Sequence, residues 1–530
     1  MRIFPWLMAS GLILAAEIKA QNNAPSPTGQ QTDGPFTKVI LDADQVINGE
    51  ARDTIVDPME LAVARDGRVF WAERKGVIKM WSPSTKKTVV IAMIPVYDGL
   101  EDGMLGMTLD PNFLSNGWVF LNHSLPETTK DSDGAKTGII RVSRYTLKGE
   151  TLDLASEKKI IDIPTQREQC CHVGGSLAFD AKGNLYISIG DNTNPFESDG
   201  FAPIDDRPGR SPWDAEKSAA NANDLRGKVS RVHPEPEGGY TIPAGNLFPP
   251  GTAGTRPEVY VMGNRNPFRI SVDQKNGFVY WGEVGPDAGS PSDKRGPAGF
   301  DEVNQARKAG FFGWPYFAAD NKPYAPIDFD KRETYAKARA DYDKQVKAAR
   351  EKNTPLPADL KAPEPYPSDA GHFFDAAHPV NRSRYNTGIQ DLPPAQPAFI
   401  YYPNAASTRF PAVNKGGGRT ALAGPVYYFD PNLKSEHKLP AEFDHTLFVY
   451  EWSRNWIMAV HLDANDQIAR DAAGKPRMER FCDNMTFKRP MDLEMGPDGC
   501  LYLIEYGTAW GNNKDTQIVR IEYSAPTGTK

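Results

Sequence analysis

The sequence predicts an all-β fold, a six-bladed β-propeller with long loops and one inserted helix. Three observations carry this. One hairpin pattern recurs along most of the chain, the chain is long for that number of copies, and one charged segment breaks the pattern with helical spacing. Each copy is an apolar alternating run, a turn rich in Asp, Asn or Gly, and a second apolar run. Residues 61–64 lead through Asp66-Gly67 into Val69-Phe70-Trp71, and residues 104–109 lead through Asn116-Gly117 into 118–121. Residues 176–179 lead through Lys182-Gly183 into 185–189, and residues 268–272 through Asn276-Gly277 into 278–281. Residues 491–495 lead through Asp498-Gly499 into 501–504, and a weaker sixth copy joins 424–428 to 446–450. Such repetition favours a propeller over an irregular sandwich or two stacked β domains.

Residues 38–524 then read as a single propeller domain with about 80 residues per blade, well above a compact blade, so the excess lies in loops. The segment 328–352 is highly charged, rich in Ala and free of Gly and Pro. Tyr335, Ala338, Tyr342, Val346 and Ala349 recur at spacings of three and four, which fits an amphipathic helix. Pro355, Pro357, Pro363, Pro365 and Pro367 end it, so residues of about 320–400 form a helical and Pro-rich insertion over the propeller surface.

Composition narrows the function. The 530 residues carry 61 Lys+Arg against 68 Asp+Glu, a net charge of −7, which argues against a nucleic-acid partner. No long apolar run follows the first twenty residues, so the chain is not membrane-spanning. Arg2, the uncharged apolar run 3–16 and Ala20 before Gln21 read as a signal peptide over 1–20. Residues 21–37 are a polar, disordered lead-in, and 525–530 a short tail. Export places the protein in the periplasm or outside the cell, where thiols can oxidise. Of the four Cys, Cys170 and Cys171 are adjacent and can close a ring on themselves. The alternative leaves them unlinked, with one free or paired with Cys482. Cys500 lies in an apolar run and reads as a small core residue. Glu168 stands where C-x-x-C-H would need its first Cys, so no covalent haem site exists there.

The string HVGGSLAFDAKGNLYISIGD at 172–191 resembles the hallmark blade of the glucose/sorbosone dehydrogenase family, the soluble PQQ-dependent sugar dehydrogenases. EDGMLGMTLDPNF (101–113), LRGKVSRV (225–232), IPAGNLF (242–248), GNRNPFRI (263–270), GEVGPD (282–287), DEVN (301–304) and GPDGCLYLIEYG (496–507) follow in family order. Asn386-Thr387-Gly388, LPPAQPA (392–398) and ALAGPVYY (421–428) resemble an environmental-bacterial branch.

The resemblance implies a set of site residues. His172 falls on the family's catalytic base, and imidazole is the side chain best suited to take a hydroxyl proton near neutral pH. Asp would stand just before it in the prototypes; here that residue is Cys171, so an acidic orienting partner is missing from that position. PQQ is a tricarboxylate and needs cationic side chains. Arg265 and Asn266 match the cofactor-contacting pair. Arg454 lies beside the position of a cofactor Lys, which here is Ser453. Arg489 matches the first of two closely spaced Arg, the second being Met491. Gly285 and Pro286 match a loop whose backbone carbonyls hold Ca²⁺ against the cofactor, and Asp301 and Glu302 match a structural calcium region. Glu101, Asp102 and Asp191 are expected to rim the pocket and accept hydrogen bonds from sugar hydroxyls. The implied function is an exported oxidoreductase that oxidises a sugar or related polyol with PQQ and Ca²⁺. Electrons leave to a separate acceptor, a cytochrome or a quinone, because the chain has no haem motif. Two alternatives are a calcium-dependent propeller hydrolase or lactonase, and a non-catalytic glycan-binding propeller. The departures at Cys171, Ser453 and Met491 favour the latter.

Overall fold

The computed structural model describes residues 31–525 apart from 133, 328, 353, 364–372, 414–416 and 510. The expected signal peptide lies outside the described residues, and the expected disorder over 21–37 is corrected at its end, where Gln31–Asp33 is a strand paired with Phe36–Lys38. Six sheets, antiparallel except where Val259–Met262 runs parallel to Gly310–Phe311, are arranged as the blades of a propeller. Their innermost strands are Pro58–Val63, Met104–Leu109, Gly174–Phe179, Pro267–Val272, Ala421–Tyr427 and Pro490–Met495, in chain order, here blades 1 to 6. Each packs beside the next, and the sixth packs beside the first.

All six hairpins read from the sequence are the two inner strands of a blade. Val63 pairs with Val69, Leu109 with Val119, Phe179 with Leu185, Val272 with Val279, Tyr427 with Thr446 and Met495 with Leu501. The turns demand the residues present: Gly183 and Gly499 have φ of +78° and +76°, a region costly for side chains with a Cβ. The outer strands are less regular. Blade 2 carries a long ribbon, Lys136–Lys148 against Thr151–Gln166, with two register shifts. Blade 6 is completed by the chain's beginning, since Phe36–Ala43 pairs with Gln517–Tyr523. That pairing closes the ring and covers a sheet edge that would otherwise stay unpaired.

The core lies between blades. Trp71, Phe120, Leu177 and Ile187 fill one such cluster, and Phe448, Tyr450, Leu493 and Leu503 another. Around the axis the inner strands are joined by buried carboxylates that accept backbone N–H groups of neighbouring blades. Glu60 accepts from Met107 (2.6 Å) and Leu177 (3.3 Å), and Asp492 from Leu61 (2.7 Å). Each bond satisfies a strand N–H that the blade's own ladder leaves free.

The inserted helix spans Phe329–Glu351. It is tied down at its first turns, where Arg332 reaches Asp199 (3.0 Å) and Arg207 stacks on Phe329 (4.5 Å), while most of its remaining length is exposed. No helix among the described residues is long and apolar enough to cross a membrane.

Candidate active site

The inner strands start at one end of the propeller, and the second strands end there, so the loops at this mouth converge. Contacts run around it. Met104 N–H donates to the Arg74 carbonyl, His172 N–H to Glu101, Asp191 N–H to the Arg265 carbonyl and Arg419 to the Pro286 carbonyl. Arg489 N–H then reaches Asn455, and the Tyr506 hydroxyl reaches Asp57.

Strand register explains which residues meet. In blade 3, Gly174 pairs with Ile189, so the residues two steps beyond each end, His172 and Asp191, face one another. His172 Nδ1 lies 2.7 Å from Asp191 Oδ1. Asp191 also accepts from Thr193 N–H (3.0 Å) and, at Oδ2, from Trp314 Nε1–H (2.7 Å). An ionised carboxylate is acceptor-only, so Nδ1 carries the proton and the lone pair sits on Nε2. Among the described residues, hydrogen bonds reach the ring only at Nδ1. His172 itself is held at φ +66°, an unfavourable region for a residue with a Cβ, and its backbone is fixed from both sides. Its N–H donates to Glu101 Oε2 (2.6 Å) and its carbonyl accepts from Asn192 N–H (3.1 Å). A Cβ at Gly190 would lie 2.3 Å from that carbonyl, so only glycine fits.

The orienting carboxylate absent at position 171 is therefore supplied by Asp191, across the hairpin. This corrects the expected place of Asp191: it has 0% exposure and stands behind His172, not on the rim. Asp102 is likewise buried, accepting from the Ser124 hydroxyl (2.6 Å), with burial raising its pKa. Of the three acids expected at the rim, Glu101 alone is exposed. Cys170 and Cys171 form a disulfide directly before His172, and Cys482 and Cys500 are free and buried.

Blade 4 repeats the arrangement. Pro267 pairs with Glu283, so Arg265 faces Gly285 across the mouth. Arg265 is buried, Nη1 donates to the Val284 carbonyl (3.0 Å), and Nε has no hydrogen-bond partner among the described residues. The Asn266 Oδ1 is buried and unpartnered too. A narrow cleft here is lined by Arg265, Glu283, Gly285, Pro286, Glu302 and Trp314. Trp314 joins it to the His172–Asp191 pair. The carboxyls on its wall are held toward the neutral form. Burial, then Glu302, raises Glu283 well above its usual range, and burial raises Glu302 to about 7. The arginine charge is thereby left less compensated. Of the two orphaned atoms, the Arg265 Nε–H is a donor and would suit a carboxylate such as those of PQQ.

Other expected site residues are tied into the protein. Arg454 has only 2% of its side chain exposed and donates from each nitrogen to a carbonyl: Nε to Gly418 (2.7 Å), Nη1 to Val413 (3.1 Å), Nη2 to Pro403 (2.9 Å), with Glu451 at 3.2 Å. Arg489 packs over Trp452 (4.4 Å) and donates through Nη1 to the Ala509 carbonyl. Three of the four residues expected at calcium have oxygens engaged within the protein. The Pro286 carbonyl accepts from Arg419 (2.6 Å). Asp301 accepts from Gly285 N–H (3.0 Å) and Ala421 N–H (2.8 Å), and Glu302 from Ala319 N–H and Asn304 (3.1 Å). Among the described residues no group of three or more His, Cys, Asp or Glu is placed to hold a metal ion.

The mouth of the propeller thus sets a buried His–Asp pair beside a narrow cleft lined by Arg265 and two buried carboxyls. The Glucose / Sorbosone dehydrogenase family model matches residues 55–349, and the chain belongs to that family. It is 22% identical over 467 residues to quinoprotein glucose dehydrogenase B of Acinetobacter calcoaceticus, covering 86% of this chain and 84% of that one. It is 26% identical over 283 residues to the aldose sugar dehydrogenase YliI of Escherichia coli K12, covering 53% and 65%. The PQQ-bound aldose sugar dehydrogenase of Streptomyces coelicolor shares the fold, with a TM-score of 0.50 and 15% identity over 92% of this chain and 98% of that one.

Proposed function

We propose that this chain is an exported quinoprotein dehydrogenase that oxidises a sugar or related polyol and passes the electrons to a separate acceptor. The observation that carries this reading is a junction: one backbone hydrogen bond, Asp191 N–H to the Arg265 carbonyl at 2.8 Å, joins a tautomer-fixed histidine to a cleft-lining arginine whose buried Nε has no hydrogen-bond partner among the described residues. The family membership and the names of the relatives support it. PQQ, when bound, supplies a quinone able to take two electrons. The chain supplies the rest. His172 accepts the proton of the substrate hydroxyl at Nε2, and Asp191 stabilises the imidazolium that forms. Glu101, exposed beside His172, accepts a hydrogen bond from a neighbouring hydroxyl. Arg265 and Asn266 hold the cofactor's polar edge. Calcium is left out of this reading because Arg419 holds the Pro286 carbonyl and backbone N–H groups hold Asp301 and Glu302. The test is reconstitution of the purified protein with PQQ, followed by absorbance and by dye reduction over a panel of aldoses and polyols. Stoichiometric PQQ uptake with sugar-dependent dye reduction is expected. Absence of PQQ binding overturns the reading.

A further inference from the structure

Blade 5 obeys the same register rule as blades 3 and 4. Ala421 pairs with Glu451, which sets Arg419 across from Ser453 at the mouth. Thr420, one step nearer the strand than Arg419, and Ser453 are joined by their hydroxyls at 2.7 Å. Ser453 is the position where the family resemblance places a cofactor lysine, so the cation missing there stands on the opposite strand.

The guanidinium of Arg419 lies among oxygens. Nη2 donates to the Pro286 carbonyl (2.6 Å), Nε to Asn404 Oδ1 (2.5 Å), and Nη1 is 3.5 Å from Asp301 Oδ1. A carbonyl, an amide oxygen and a carboxylate are the kind of donors a hard divalent cation takes. Here a side chain of the chain itself sits among such oxygens. It is 95% buried, its side chain having 5% exposure, and Nη1 makes no hydrogen bond among the described residues. The backbone allows this approach: at Gly299 a Cβ would lie 2.7 Å from Nη2 and overlap the Pro286 carbonyl.

We propose that Arg419 is a cofactor-binding residue, a built-in cation that holds a carboxylate of the quinone cofactor where the family resemblance implies calcium. A guanidinium can do this because its fork of N–H groups bonds the protein's carbonyl on one side and leaves others for an anion. The inference rests on the PQQ reading above and goes beyond it in stating that calcium is dispensable for cofactor binding.

Direct PQQ titration, followed by quenching of tryptophan fluorescence, tests it without recourse to activity. Protein stripped with EGTA is titrated in EGTA and in millimolar CaCl₂. Wild-type affinities are expected to agree within about threefold. Arg419→Ala is expected to bind PQQ at least tenfold more weakly in EGTA, and Arg419→Lys to recover part of the loss. A circular dichroism melt of each variant separates lost binding from lost folding, and the wild-type comparison needs no variant. Wild-type protein that binds PQQ only with calcium overturns the inference and leaves the PQQ reading standing. So does a folded Arg419→Ala that binds within twofold of wild type. Failure of wild type to bind PQQ in either buffer overturns the PQQ reading itself, and the inference with it.

Discussion

His172 Nδ1 and Asp191 Oδ1 stand 2.7 Å apart although nineteen positions separate them in the chain, because they extend the two ends of one antiparallel pair. The consequence is chemical. A carboxylate at Nδ1 fixes the neutral tautomer whose lone pair is on Nε2, and it stabilises the imidazolium once a proton arrives. Asp191→Asn turns one acceptor into a donor and favours the other tautomer. We expect kcat to fall by roughly 10²–10⁴, with KM and PQQ affinity little changed, the scale on which general bases act. His172→Ala should fall by a similar factor, and the double variant no further, since the two act as a unit. Additive losses would show that Asp191 acts independently of the ring.

The hairpins are legible in the sequence because paired apolar runs flank turns, five of which carry Gly. His172 is legible as a motif residue. Its partner is not legible from the adjacent position, 171, because the pairing of Gly174 with Ile189 brings in 191. Mirroring each hairpin about its turn would have found it. Arg419 was out of reach even so. It lies in the run KGGGRT at 415–420, which reads as a bare loop, and it precedes the one hairpin whose strands are joined by a long connection from Tyr427 to Thr446. Without a short turn the register of blade 5 cannot be counted from sequence. The same limit hides that Arg454 is consumed by carbonyls of residues 403, 413 and 418, which only tertiary packing brings to it.

Arg265 is expected to bind the cofactor by a charge-assisted contact, because Nε is buried and unpartnered while Nη1 is already used on Val284. Arg265→Ala should weaken PQQ binding by roughly 1.5–3 kcal/mol, the scale of a hydrogen bond to a charged group. Arg265→Lys should retain part of it. Affinities of wild type and alanine variant within twofold of each other would remove Arg265 from the site.

Arg454 should behave in the opposite way. Removing it leaves the Glu451 carboxyl and three carbonyls without their donor in a buried setting. Arg454→Ala is expected to cost about 3–5 kcal/mol of stability, as for a broken buried ion pair. The folded fraction should bind PQQ with wild-type affinity. A variant that melts normally and loses PQQ would restore Arg454 to the cofactor site.

The axial carboxyls set the dependence of stability on pH. Glu60 accepts from Met107 N–H, Leu177 N–H and the Ser176 hydroxyl. Burial raises its pKa from 4.5 to about 8, with Asp492 adding to the rise and Arg269 opposing it. Burial likewise raises Asp492 to about 6 and Glu494 well above its usual value. A carboxyl whose pKa is higher in the fold than in the unfolded chain binds more protons when folded. Its contribution is therefore complete below the unfolded value and is lost as pH rises through the folded one. For Glu60 the window runs from 4.5 to about 8. Within it one such group changes stability by up to about 1.4 kcal/mol per pH unit. Guanidinium unfolding at two pH values inside that window should accordingly show wild type less stable at the higher one. Glu60→Gln keeps an acceptor oxygen for the strand N–H groups and removes the ionisation, so its stability should fall less steeply over the same interval. A variant that loses stability with pH as steeply as wild type would mean that Glu60 stays ionised throughout and that other groups set the slope.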